Sequence, residues 1–243
     1  MERLNAAMAP APVRPVKVLQ FGEGNFLRAF VDYMIDIANE KSDFNGSVAL
    51  VKPIQMGTLF PAFKEQDYRY TVMLRGLVDG LVDGQAVEQT RVVTSVSDAV
   101  DAYADYAHYA DYAKLPSLRF IVSNTTEAGI VLDETDEFSL CPPKSYPGKL
   151  TKFLFERAEA FDYAQDKGLI ILPVELIDDN GIMLKKCVKA LAKQWALGEK
   201  FEQWLETACV FTSTLVDRIV TGYPRGEDQA IWEKLGYQDN LLD

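Results

Sequence analysis

VKVLQFGEGNFLRAF, residues 16–30, contains the turn on which the fold depends. Val16–Phe21 is a short, β-rich apolar run, and Gly22-Glu23-Gly24 follows at once. Residues 25–41 then carry one apolar stripe, in which Phe26, Ala29 and Phe30, Tyr33 and Met34, and Ile37 recur at helical steps. Residues 47–54 (SVALVKPI) form a second buried-type strand, closed by Pro53. Strand, glycine turn, helix and strand in that order make a βαβ unit. A turn of this kind brings backbone close to a bound diphosphate and presents the free N–H groups and partial positive charge of a helix start. The position of a usual third glycine holds Leu27, so an ordinary tight turn remains an equal explanation of the motif alone.

Further along, the pattern changes and then returns. Residues 68–77 alternate like a half-exposed strand, Asp79-Gly80 and Asp83-Gly84 are hairpin turn signals, and residues 89–96 are again β-type, so an antiparallel insertion is expected. Residues 98–114 (DAVDAYADYAHYADYAK) read as a surface helix, with Tyr103, Tyr106, Tyr109 and Tyr112 drifting around it and His108 on its exposed side. Buried strands are expected at 118–123 and 169–174, and helices at 147–161, 182–197 and 201–211, before a polar, turn-rich finish. Alternating strands and helices give a mostly parallel sheet covered on both faces.

Ligands of such sheets lie beyond the carboxyl ends of the strands. Polar clusters stand at three of these ends: residues 123–127, 175–180 and 213–218. The second strand ends Val51-Lys52-Pro53 instead of in an acid that would hold a ribose. Lys52 tolerates a ribose phosphate, so these residues leave NAD and NADP both open. Tyr163 and Lys167 form a Y-x3-K pair without a correctly spaced Ser and are read as a helix-end pair.

Composition excludes several classes. A formal charge of -11 over 243 residues disfavours nucleic acid and anionic membranes as partners. Three scattered cysteines and one histidine form neither a disulfide framework nor a metal site. No apolar run is long enough for a signal peptide or a membrane span, so the expected location is the cytoplasm, with residues 1–15, rich in Ala and Pro, as a flexible leader.

Four ordered blocks carry a resemblance: GEGNFLRAF (22–30), SNTTEAG (123–129), PVELIDDNG (173–181) and STLVDRIVTGYP (213–224). They resemble the mannitol dehydrogenase family of polyol-specific long-chain dehydrogenases, and within it the members that act on sugar acids. The resemblance covers the chain from Val16 onward and implies a Rossmann-like α/β fold over 16–243, a mostly parallel sheet flanked by helices with an antiparallel β insertion. It implies NAD as cofactor, with Val18, Leu19, Gln20, Phe21, Gly22, Glu23, Gly24, Asn25, Phe26, Leu27, Arg28 and Ala29 as its phosphate loop. Thr125, Thr126 and Glu127 would lie near the nicotinamide, and Glu175, Asn180, Asp217 and Arg218 on the side of a small sugar-acid substrate. Arg28 either places a cation at the loop or caps the helix's outer face; Arg218 either clamps a carboxylate or pairs with Asp217.

Two departures stand out. Leu176 occupies the position of an asparagine that helps hold the reacting oxygen in mannitol dehydrogenases. The family's catalytic lysine belongs to a helical C-terminal domain, and no K-x4-N-x2-H arrangement occurs here. The expectation is a cofactor-binding part without a catalytic residue or metal of its own, inactive alone, with its own C-terminal domain as partner.

Overall fold

The computed structural model describes residues 1–55, 59–76, 87–126, 128–216 and 218–243. In chain order the strands are β1 (Val16–Phe21), β2 (Ser47–Lys52), β3 (Tyr70–Gly76), β4 (Val87–Val93), β5 (Val96–Asp101), β6 (Phe120–Ser123), β7 (Ile170–Pro173) and β8 (Val210–Phe211). The helices are α1 (Asn25–Leu27), α2 (Tyr33–Lys41), α3 (Phe60–Glu65), α4 (Tyr106–Asp111), α5 (Tyr146–Ala160), α6 (Asn180–Gln194), α7 (Glu199–Thr207) and α8 (Asp228–Leu235). A π-helical stretch, Arg28–Asp32, joins α1 to α2 without a break.

Six strands form one sheet in the order β5-β2-β1-β6-β7-β8. Every pairing in it is parallel. β3 and β4 pair antiparallel as a separate hairpin, Tyr70 opposite Val93 through Gly76 opposite Val87. The Asp79-Gly80 and Asp83-Gly84 turn signals lie outside the described residues.

Strand alternation sends successive side chains to opposite faces, and here both faces are covered. Leu19, Phe21, Ala49, Val51, Ile121 and Ile171 pack on one face against α5, α6 and α7, through Leu150, Phe153, Val188 and Trp204. Val18, Val48, Leu50 and Val122 pack on the other with Leu27, Ala29, Phe63 and the hairpin residues Tyr70 and Val72. All of β2 is buried, which explains why its sequence shows no polar face.

Three expectations need correction. Residues 98–114 are not one surface helix. Their first part is β5, and only 106–111 are α-helical, with Tyr109 and Tyr112 buried. Val96, Ala99 and Val100 fill the sheet edge beside β2, and that pairing outweighs the helical propensity of the alanines. His108 is held by Asp98, Nε2 to Oδ2 at 2.9 Å, and Tyr112 donates to the same oxygen at 2.7 Å. The leader is docked in its first part: Leu4 is buried, its N–H donates to the Gln238 carbonyl, and the Gln238 N–H donates to the Glu2 carbonyl. The polar finish hides an anchor, since Leu241 and Leu242 are fully buried and Asp239 accepts from the Thr71 N–H, Gln66 Nε2 and the Leu241 N–H.

Candidate functional site

The carboxyl edge of the sheet is where β1, β6 and β7 each hand the chain to a polar turn. After β1 the backbone turns at Gly22, whose φ is +125° and whose N–H donates to the Val51 carbonyl. A Cβ there would stand 3.1 Å from the Asn124 carbonyl oxygen and from Leu27 Cδ1, so only glycine fits. Gly24 is the opposite case: a Cβ on it would meet nothing within 4 Å, so space lies open above the turn. Gly24 caps α1 with extended backbone and no side-chain cap. The Gly24 and Asn25 N–H groups have no acceptor among the described residues.

Of the expected phosphate-loop residues, Gly22, Glu23, Gly24, Asn25 and Phe26 form this turn and its rim. The others support it from below. Val18, Leu19, Phe21, Leu27 and Ala29 are core residues. Gln20 is fully buried and donates through Nε2 to the Gly22 carbonyl at 3.1 Å and to Asp32 Oδ2 at 3.2 Å. Arg28 is neither a cation offered to a ligand nor a cap on the outer face. It is 1% exposed, forms a two-pronged pair with Asp243 at 2.7 and 2.8 Å, and donates to the Glu23 carbonyl and Asn25 Oδ1. A guanidinium has enough donors to tie both sides of the turn to the chain's last residue in this way.

β6 delivers Ser123, Asn124, Thr125 and Thr126, and β7 delivers Glu175. The Glu175 carboxylate is 2% exposed and accepts from Ser123 Oγ at 3.1 Å, the Thr125 N–H at 3.0 Å and Thr125 Oγ1 at 2.9 Å. It locks the turn after β6, which leaves Thr126 exposed in a left-handed conformation at φ +75°. Asn180 does not face a ligand. It is fully buried, its Nδ2 donates to Pro173, Glu175 and Thr214, and its Oδ1 accepts from the N–H groups of Gly181 and Thr214. It fastens the segment after β8 to the end of β7.

That segment then crosses the edge of the sheet toward α1. Gly222, at φ +78°, passes so close to the first helix that a Cβ would stand 2.3 Å from Asn25 Nδ2. Arg218 comes to rest over the rings of Phe30 and Tyr33, at 5.8 and 5.4 Å. Between the three turns lies a cleft of ≈ 590 Å³ whose lining includes Phe26, Asn124, Thr126, Glu175, Leu176 and Arg218. Leu176 is 66% exposed there. Glu127 and Asp217 lie outside the described residues.

Tyr163 and Lys167 sit elsewhere: Tyr163 donates to Glu159, and Lys167 pairs with Asp166. The Lys52 ammonium is bonded to Asp101 Oδ2 and the Gln55 carbonyl. Asn124 and Val216 were visible in the sequence only as members of polar end-of-strand clusters. The Phe30–Tyr33 platform under Arg218 had a signal, two aromatics at adjacent helical positions, but nothing local connects it to Arg218.

A parallel sheet with a glycine turn opening a helix at its first strand, and a cleft beside it at the strands' carboxyl ends, defines a Rossmann-type nucleotide-binding domain. Residues 16–243 match the mannitol dehydrogenase Rossmann domain, and the chain belongs to that family. It is 48% identical over 244 residues to an altronate oxidoreductase of Yersinia enterocolitica and 49% identical to one of Escherichia coli. In both cases 100% of this chain matches 50% of the relative, so the chain spans about half the length of these curated relatives. Among solved structures, mannitol 2-dehydrogenase of Pseudomonas fluorescens in a ternary complex with NAD and D-mannitol superposes with a TM-score of 0.79 at 21% identity, covering 99% of this chain and 52% of the other. A substrate-free D-sorbitol dehydrogenase gives a TM-score of 0.75, also at 21% identity, over 100% of this chain and 52% of that one. These two likenesses establish the fold.

Proposed function

We propose that this chain is the NAD-binding part of an oxidoreductase that interconverts D-altronate and D-tagaturonate. The observation that carries the reading is the open space above Gly24, beside amide groups with no acceptor among the described residues. There the Gly22–Asn25 backbone would hold the dinucleotide's diphosphate, because free N–H groups at a helix start suit negative oxygens. Thr126 and Asn124, on the turn that Glu175 locks, would bound the nicotinamide end. Bound nicotinamide supplies the two-electron exchange with the substrate's carbinol carbon.

Arg218 would take the substrate carboxylate. Its guanidinium lies over Phe30 and Tyr33, an arrangement that holds the plane and leaves its edge for a paired contact. Among the described residues lining the cleft, the ionisable side chains are Glu175 and Arg218, and Glu175 is engaged by Ser123 and Thr125. The group that takes the hydroxyl proton would then come from outside these described lining residues. We place the protein in the cytoplasm, in keeping with the free Cys141, Cys187 and Cys209; among the described residues no helix is long and apolar enough to cross a membrane.

The test is turnover by the full-length protein across a panel of sugar acids and polyols with NAD and NADH. Altronate and tagaturonate should be preferred, and Arg218→Ala should raise KM for them by about 30- to 100-fold, the loss of one charge-assisted paired contact. NADH affinity should stay within about twofold, since the same contact is absent from cofactor binding. Preference for a polyol without a carboxylate would remove the role of Arg218 and the sugar-acid reading with it.

A further inference from the structure

The end of the second strand is where a Rossmann-type domain reads the adenosine ribose: an acid there holds the hydroxyls, and a nearby cation accommodates a 2′-phosphate. Here that position is Lys52, and residue type alone leaves both cofactors open. The tertiary arrangement favours the unphosphorylated one. Lys52 is 7% exposed, and its Nζ lies 3.1 Å from Asp101 Oδ2 and 3.2 Å from the Gln55 carbonyl oxygen.

Asp101 closes β5 and stands directly opposite Lys52 in the strand register. Its other oxygen accepts from the Tyr103 N–H at 3.0 Å, which fixes the carboxylate in place. A second carboxylate reaches the same corner from the glycine turn. Burial raises the pKa of Glu23, the charges of Lys52 and Arg28 pull it down, and Asp101 pushes it up, so Glu23 shares a field with both members of the pair. Arg28 is itself paired with Asp243. The Lys52 ammonium thus meets a fixed carboxylate of its own at the end of the second strand.

We propose that Asp101 is the residue that makes this site take the unphosphorylated dinucleotide, by claiming the Lys52 ammonium and, with Glu23, leaving a field that accepts ribose hydroxyls and repels a 2′-phosphate. The inference rests on the dinucleotide reading above. A phosphate monoester carries about -1.5 to -2 charge at neutral pH, so the repulsion falls on NADPH and spares NADH.

The experiment measures Kd for NADH and for NADPH on the full-length protein by quenching of tryptophan fluorescence, with a thermal melt on each variant. The parent should favour NADH by at least about 30-fold, and Asp101→Asn should shrink that ratio at least about tenfold, mainly by tightening NADPH. Should Asp101→Asn fail to fold, Glu23→Gln carries the test, with an expected shrinkage of about threefold or more. Equal affinity of the parent for both cofactors, or a ratio that stays within about twofold of the parent's in the folded variants, overturns the role of Asp101 while leaving the dinucleotide site intact. If folded parent binds neither nucleotide, the dinucleotide reading itself falls, and this inference with it.

Discussion

Asp32 lies under the glycine turn without solvent access. Its Oδ2 accepts from the Tyr70 hydroxyl at 3.0 Å and Gln20 Nε2 at 3.2 Å, whereas Oδ1, like Oε1 of Gln20, has no partner among the described residues. Burial pushes the carboxyl from 3.8 to about 7, and the hydrogen bonds from Tyr70 and Gln20 and the charge of Arg28 only partly oppose it. Between about pH 4 and pH 7 the folded protein therefore keeps a proton that the unfolded chain has released. Stability from this group is full below the unfolded value and is lost as pH rises through the folded one. At about 1.4 kcal/mol per pH step, the loss between pH 5 and pH 8 comes to about 2.5 kcal/mol. Asp32→Asn keeps the shape, retains an acceptor for Tyr70 and Gln20, and removes the titration. Equilibrium urea unfolding at pH 5, 6, 7 and 8 should show the parent weakening by about 2–3 kcal/mol more than the variant, with the variant at least as stable at pH 8. Asp243, raised by burial to about 6, adds a slope of the same sign that the variant keeps. A variant more than about 1 kcal/mol less stable than the parent at pH 8 would mean that the ionised carboxylate is in use, and the reasoning would fail.

Other substitutions test the scaffold of the site. Gly22→Ala, at φ +125° and 3.1 Å from the Asn124 carbonyl, should cost about 1–3 kcal/mol in thermal unfolding and weaken NADH binding about tenfold or more; parental affinity would detach the turn from the cofactor. Arg28→Met leaves the Asp243 carboxylate buried without its partner and should cost about 3–5 kcal/mol in denaturant melts; a cost under about 1 kcal/mol would show that Asp243 escapes to solvent. Asn180→Ala takes the partner from both the carbonyl and the N–H of Thr214, and should cost about 2–3 kcal/mol and speed proteolysis within residues 213–216; unchanged cleavage would mean that this segment is held by something else.

The glycine turn and most of the sheet were legible because the information is local. A strand buried on both faces must be a continuous apolar run, as at Val16–Phe21 and Ser47–Lys52, and a chain that turns at φ +125° must use glycine, as at Gly22. Local reasoning failed at residues 98–114, where alanine-rich helical propensity yielded to an open position beside β2. It failed also for polar side chains whose roles depend on distant partners. Arg28 reads as a cation at a phosphate loop until Asp243, 215 residues away, is seen to occupy its guanidinium. Lys52 reads as a cation that tolerates a ribose phosphate until Asp101 takes its ammonium, and Asn180 reads as a substrate-side residue until Thr214 surrounds its amide. Periodicity and turn chemistry are properties of neighbours along the chain, so the residues alone specify the elements and their order. The charge that a side chain offers to a ligand is what its buried partners leave over, and only the packed chain brings those partners together.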